Sequence, residues 1–404
     1  MRKLFWLISL LLIIIGIIIL WIFFNNLSAV YTYSGDGKII LDKTGQVGDF
    51  IGGVVGTIFS LAGFVALLLT LYNQSDTSYK EQFEGKFFEL IKIHRDNVNE
   101  INIRRKLRDK KEILDFEFSG RKAFKTIVSD FVICRNDLRP YFRKHTIADV
   151  YEEGYLKKTI EILGVDPNHK RILSFARVNI AYCITFYGVG SEGYQILIQL
   201  FRKKYKKEFI EGLLAYMKMK PIESSKYWKK WKKLKKIEDI DSRLTLIDKI
   251  YSIRKNRKSL NTIFSEQEIE LYYYGKKYIK FYGGHQHRIG HYFRHLFQTV
   301  KYVNSQTKLS ESEKYFYVKT LRAQLSTYEQ ALLFVNSLSI MGMPWELEPE
   351  YKKNYFDYID KKRKENAQLI TKYNLIKNLP GNQIIGINYK DYYPNVNYEI
   401  EEIV

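Results

Sequence analysis

Two long runs of uncharged, apolar residues constrain this chain before anything else does. Leu4–Phe24 holds 21 residues, rich in Leu and Ile, without a single charge. As a helix it is about 31 Å long, enough to cross the hydrocarbon core of a bilayer. A signal peptide would have an apolar region of roughly 7–15 residues and then a small-residue cleavage site; the run shows neither. Phe50–Tyr72 is the second such run. Along it Gly52, Gly56, Ser60 and Gly63 recur at helical spacing. Such a stripe of small residues lets helices approach closely in lipid. Its partner is either the first span or another copy of the chain.

Charge sets the expected orientation. Arg2 and Lys3 precede the first run, Lys80, Lys86 and Lys92 follow the second, and the loop between balances Lys38 and Lys43 against Asp36, Asp42 and Asp49. The positive-inside rule then places both termini in the cytoplasm, with a short loop outside. Of the formal +21, only +1 belongs to residues 1–72. The remainder faces an anionic leaflet. A 46% apolar and 15% aromatic composition excludes wholesale disorder. Cys134 and Cys183, with no His beside them, exclude a disulfide framework and a Cys-based zinc site.

The expected fold class is therefore all-α. A two-helix transmembrane hairpin over residues 1–74 (spans 4–24 and 50–72) leads into a large helical cytoplasmic domain over 75–378. Within that domain apolar residues recur at three and four, as in Phe83, Phe87, Ile91, His94, Val98 and Ile101. Gly120–Arg143, Asn179–Tyr187, Gln195–Met217 and Leu244–Ile253 carry the same period, with breaks at Gly164–Pro167, Gly188–Gly193, Pro221–Ser225, Gly283–Gly284 and Gly342–Pro344. The tail, 379–404, looks irregular and is expected to lie over the surface.

A basic middle segment spans 202–258. It opens with RKKYKK (Arg202–Lys207) and continues with KYWKKWKKLKK, seven lysines in eleven positions: Lys226, Lys229, Lys230, Lys232, Lys233, Lys235 and Lys236. Trp228, Trp231 and Leu234 would form one aromatic edge of a helix. Three readings stay open: an anionic membrane surface, a nucleic-acid backbone, or a solvated helix anchored by two core tryptophans.

Four of the seven histidines fall within GGHQHRIGHYFRHLFQTVKYV: His285, His287, His291 and His295. On a helix starting near Gln286, Ile289, Phe293, Leu296, Val300 and Val303 make the apolar face. His287, His291 and His295 fall opposite, beside Arg294 and Gln298. A shared metal lacks a carboxylate, since none lies between Glu270 and Glu311; no metal or cofactor is expected. Arg288 and His295 match the loose R-x4-6-H spacing of HEPN ribonucleases, in which the histidine moves a proton and the arginine stabilises phosphate charge. A polar face packed on another helix or on lipid headgroups is the third reading. Downstream, Lys319–Leu338 reads as one helix, with Arg322, Glu329 and Asn336 along the edge of its apolar face. Polar groups there need partners, because burying them unpaired costs about 1–3 kcal/mol. Other helices, through His295 or Arg294, are the expected source.

Together these segments resemble the AbiC-like phage abortive infection family of bacterial membrane proteins. The resemblance rests on Val47–Gln74, GKFFELIKIHRDNV (Gly85–Val98), GRKAF (Gly120–Phe124), GHYFRHLFQTVKYV (Gly290–Val303) and LRAQLSTYEQALLFVNSLS (Leu321–Ser339). It implies antiviral defence in which the infected cell stops growing or dies, but supplies no chemistry. The family-motif residues it marks are Phe87, His94, Gly120, Arg121, Arg294, His295, Arg322, Gln324, Glu329 and Asn336. The expectation is a toxin-like effector that senses infection through its helical domain and perturbs the bilayer as a homo-oligomer. Its trigger would be a phage or host protein. The alternatives are a membrane-tethered HEPN-like ribonuclease and a non-catalytic scaffold docking lipid or nucleic acid.

Overall fold

The computed structural model describes residues 2–30, 41–109, 112–225, 228, 231–232, 280–348 and 367–399. The expected helix 244–253 and Lys226, Lys229, Lys230, Lys233, Lys235 and Lys236 lie outside them. Among the described residues helix dominates, 72% against 5% strand. The chain forms two compact units, Met1–Glu89 and Leu90–Val404.

In the first unit α1 (Arg2–Val30) and α2 (Leu41–Phe50) are followed by a π-helical turn, Ile51–Val55, that runs into α3 (Gly56–Glu100). Two stretches, Leu4–Asn26 and one starting at Gly45, are long and apolar enough to cross a membrane. Their side chains point outward: Trp6 is 63% and Trp21 68% exposed. Ser9 Oγ donates to the Ala62 carbonyl (3.3 Å), Phe23 stacks on Phe50 at 4.1 Å, and Gly16 leaves room for the Phe59 ring. The buried residues Val55, Ala62 and Leu69 recur every seven positions. The small-residue stripe lies elsewhere on the helix: a Cβ on Gly52 or Gly63 would meet no atom within 4 Å. Phe87 is buried and stacks on Phe83 at 6.1 Å.

The second unit contains an element the helical period did not announce. β1 (Asn102–Asp109) and β2 (Glu112–Ser119) pair antiparallel, with Arg104 opposite Glu117 and Lys106 opposite Asp115. A basic strand facing an acidic one forms cross-strand ion pairs at 3.7 and 3.8 Å, each worth only a few tenths of a kcal/mol to about 1 kcal/mol at this exposure. Gly120 (φ +54°) then turns the chain into α4 (Arg121–Arg143).

After α5 (Ile147–Val150) and α6 (Glu153–Leu163) comes α7 (Arg171–Tyr187). Its sequence is apolar on nearly every side, so it is buried almost throughout, from Ile172 to Phe186. The polar atoms it takes inside are bonded: Asn179 donates to the Tyr205 hydroxyl (2.8 Å) and accepts from the Ile340 N–H (3.1 Å). α8 (Ser191–Phe201) and α9 (Lys207–Lys218) follow as two helices where Gln195–Met217 was expected as one. The break falls on RKKYKK, where Lys203 adopts φ +66°. A Tyr151–Tyr205 bridge then replaces helical hydrogen bonds.

Pro221 and Lys280 bridge each other. Between them in sequence, Trp231 is buried 6.3 Å from the Tyr216 ring, and Trp228 stacks on Phe281 at 6.4 Å. These indoles pack on the protein, rather than lining an aromatic outer edge, because tertiary neighbours supply the apolar surface they need. Lys232 lies over Trp228 at 5.9 Å. α10 (Gln286–Asn304), α11 (Glu311–Arg322) and α12 (Thr327–Ser337) complete the helices that matter for the site. The expected helix 319–338 is thus broken after Arg322. Ser326 caps α12, its hydroxyl accepting from Glu329 N while the Glu329 carboxylate takes the Ser326 N–H. Such a capping box satisfies two otherwise orphaned N–H groups at a helix start. The tail from Leu379 is built of short 3₁₀ turns, but it does not lie over the surface. Ile385, Tyr389, Tyr393, Val396 and Tyr398 are buried, because only inward packing satisfies so many aromatic rings.

Candidate functional site

The start of α10 is fixed by a close backbone crossing. Gly188 (φ +75°) and Gly284 (φ +85°) lie so near that a Cβ on either would strike the other segment's backbone at 2.6 Å. His285 N–H donates to the Phe186 carbonyl (2.7 Å) there. His285 Nε2 donates to Asp130 Oδ2 at 2.9 Å, and Arg105 pairs with the same oxygen. Burial alone would push the Asp130 carboxyl up. The His285 hydrogen bond and the Arg105 charge outweigh it and hold the group below the usual range. Sequence reasoning missed this anchor, since nothing local links residues 105, 130 and 285.

From that start, Ile289, Tyr292, Phe293, Leu296, Val300 and Val303 turn inward. His287, His291, Arg294 and Gln298 line an open cleft of about 820 Å³. Its apolar walls include Phe186, Phe293, Phe297 and Trp345, and Glu192 and Asn336 add polar groups. Gly342 lets the Trp345 turn approach Asn336, whose carbonyl leaves no room for a Cβ. Arg294 donates to His291 Nδ1 (3.3 Å) and to the Gly290 carbonyl (3.2 Å). Burial, then the Arg288 and His285 charges, depress the His287 pKa. The cleft thus offers imidazoles, a guanidinium and amides between aromatic walls, a lining suited to binding an extended, acceptor-rich segment. Among the described residues no group of three His, Cys, Asp or Glu side chains is placed to hold a metal.

His295, expected beside Arg294 and Gln298, turns away from the cleft. Its Nε2 meets the Leu90 carbonyl at 2.9 Å. Arg288 donates to the Asn102 and Gly284 carbonyls (2.9 and 3.3 Å). Seven residues separate the two along α10, about 10.5 Å of helix.

Five of the family-motif residues converge behind the cleft. Glu329, fully buried, accepts from Ser326 N (2.8 Å) and Ser326 Oγ (2.6 Å) through one oxygen and from Tyr292 OH (3.0 Å) through the other. Arg121 Nε lies 4.0 Å from Glu329 and donates through Nη2 to the Gln324 carbonyl (3.0 Å). Arg95 donates to Gln324 Oε1 (3.2 Å). His94, 1% exposed, sits 3.9 Å from Glu329 with neither ring nitrogen hydrogen-bonded. Burial first, then the His295 ring and the Arg121 and Arg95 charges, bring its pKa down to about 4. The remaining motif residues go elsewhere. Arg322 donates to the Tyr373 and Asn374 carbonyls (3.1 and 3.0 Å), and Asn336 to Tyr182 OH (2.9 Å). Neither Arg322 nor Glu329 takes its partner from His295 or Arg294, because the capping box and the tail reach them first. The S-x-x-E spacing of Ser326 and Glu329 is the local signal that could have found Glu329's partner.

Residues 284–355 match the model of a family described as Putative phage abortive infection protein. The match supports the AbiC-like assignment that Gly290–Val303 and Leu321–Ser339 carry, and with it a phage abortive infection protein. Less than a fifth of the chain is matched, yet that part supplies every cleft residue except Phe186, Tyr187, Glu192 and Gly283. No curated protein and no solved structure matches the chain at a significant level.

Proposed function

We propose that this protein is a membrane-anchored antiphage effector. The first unit forms a transmembrane hairpin in the bacterial inner membrane with both termini in the cytoplasm. The second unit senses infection by taking a segment of a phage or host trigger protein into the α10 cleft. Activation then arrests or kills the cell by perturbing the bilayer. The observation that carries this reading is that the family-matched segment supplies most of the lining of a large cleft beside α10, in a chain that also bears two outward-facing apolar helices. The stripe of Gly52, Gly56, Ser60 and Gly63, whose glycines 52 and 63 α1 does not cover, is the expected contact between copies in a homo-oligomer.

Expression during phage challenge with a potential-sensitive dye tests it. The expected outcome is depolarisation before lysis, abolished by Arg294→Ala, which removes the cleft's guanidinium without touching a buried group. Growth arrest with an intact membrane potential would sink the membrane step.

A further inference from the structure

A second set of charged groups lies away from the cleft. Arg135, Arg139 and Arg143 recur every four residues on α4, which puts them on one face. Arg177 of α7 comes against that face, near enough for its charge to act on Arg135 and to feel Arg139 and Arg143. Arg135 is 9% exposed; its Nη1 donates to the Gly386 carbonyl (3.1 Å), but its Nε is buried without a partner. Arg177 Nε is likewise buried and unbonded. Among the described residues none of the four pairs with a carboxylate. Asp391 of the tail is held by Arg171 at 3.2 Å.

Like charges gathered this way oppose folding. Burial, then Arg177 and Arg139, lower the Arg135 pKa to about 10, and burial with Arg139 and Arg143 lowers that of Arg177. Anchoring Gly386 accounts for one N–H of one residue and leaves the other three arginines unexplained. Residue type is informative too. Only 19 of the 65 basic residues are arginine, yet all four here are. Arginine differs from lysine in presenting a planar fork that meets phosphoryl oxygens two at a time. A phosphoryl group on the exposed guanidinium groups of Arg139 and Arg143 would offset the repulsion felt by all four.

We propose that Arg135, Arg139, Arg143 and Arg177 form a binding site for a multiply charged phosphoryl group, carried on a soluble phosphorylated compound or on a lipid headgroup. The site is independent of the α10 cleft and of the effector reading.

Full-length protein in detergent, titrated with inorganic pyrophosphate, tests the soluble source by calorimetry and thermal unfolding. The same chain in phosphatidylcholine nanodiscs, with and without phosphatidic acid, tests the lipid source. Arg139 and Arg143 are exposed, so the Arg139→Ala/Arg143→Ala pair leaves the core intact. The expected result is that one ligand raises the melting temperature, and that the double variant weakens its binding about tenfold or more. Without ligand, the double variant melts at or above the parent, because repulsion has been removed. Arg139→Lys/Arg143→Lys, keeping charge but losing the fork, falls between the two in affinity. Pyrophosphate alone acting identifies a soluble compound; phosphatidic acid alone acting identifies a headgroup. If neither ligand shifts the melting temperature, or the double variant responds as the parent does, the site does not exist.

Discussion

α1 and α7 carry nearly the same kind of sequence and meet opposite surroundings. Both are apolar on almost every side. In α7 every residue from Phe175 to Phe186 but Arg177 is buried among neighbouring helices. In α1 the large side chains from Leu4 to Phe24 are mostly exposed, with Trp21 at 68%. A helix apolar all round has two stable settings, a protein core or a lipid core. The internal difference that separates them is polar content. α7 carries Arg171, Arg177 and Asn179, and Asn179 is hydrogen-bonded by its surroundings; α1 has no charged residue between Leu4 and Phe24.

That contrast can be broken from either side. Ile180, wholly buried in α7, replaced by Asp puts an unpaired charge into a closed core. A loss of more than about 4 kcal/mol is expected, seen as a second unit that no longer gives a cooperative unfolding transition. Ile14 in α1 is 45% exposed, and Ile14→Lys should leave the second unit's unfolding unchanged. It should cost about 3 kcal/mol of membrane insertion, read as a shift from the membrane to the soluble fraction on flotation. If the two substitutions have the same effect, the assignment of two different solvents is wrong.

The smallest effect sharpens the comparison at the polar edge of the second core. His94 is buried with a folded pKa of about 4 against 6.5 when exposed. Between those values the unfolded chain binds the extra proton, so stability is full above pH 6.5 and falls as pH drops toward 4. The limit is about 3 kcal/mol. Thermal unfolding of the parent at pH 7 and pH 5 should show this slope, and His94→Leu should flatten it. An unchanged slope in the variant would mean that His94 is already protonated in the fold.

Much of this architecture was legible in local pattern. The two apolar runs, the α10 face of Ile289, Leu296 and Val300, and the α4 helix follow directly from helical period. So does the placement of His287, His291 and Arg294 on one polar side, which becomes the cleft lining. What local pattern hid was decided at a distance. β1 and β2 are held by the complementarity of a basic and an acidic strand, invisible to a search at period 3.6. RKKYKK has no Gly or Pro to announce that α8 ends there. Trp228 and Trp231 read equally well as a surface edge or a core anchor until Phe281 and Tyr216 are beside them. Glu329 needed only its capping partner to be noticed, but His94 and Tyr292 come to it from other helices.

The Pro221–Lys280 bridge has a consequence for how such a chain can change over time. The two ends of the intervening stretch are held side by side, tied also by the Phe281 N–H to the Lys220 carbonyl at 2.9 Å. Closing a longer segment across fixed ends costs only about 0.6 kcal/mol per doubling of length. Length and content can therefore change between these ends at little cost in loop entropy. Trp228 and Trp231, which pack on Phe281 and Tyr216, set the condition: a replacement stretch has to keep them or supply rings in their place.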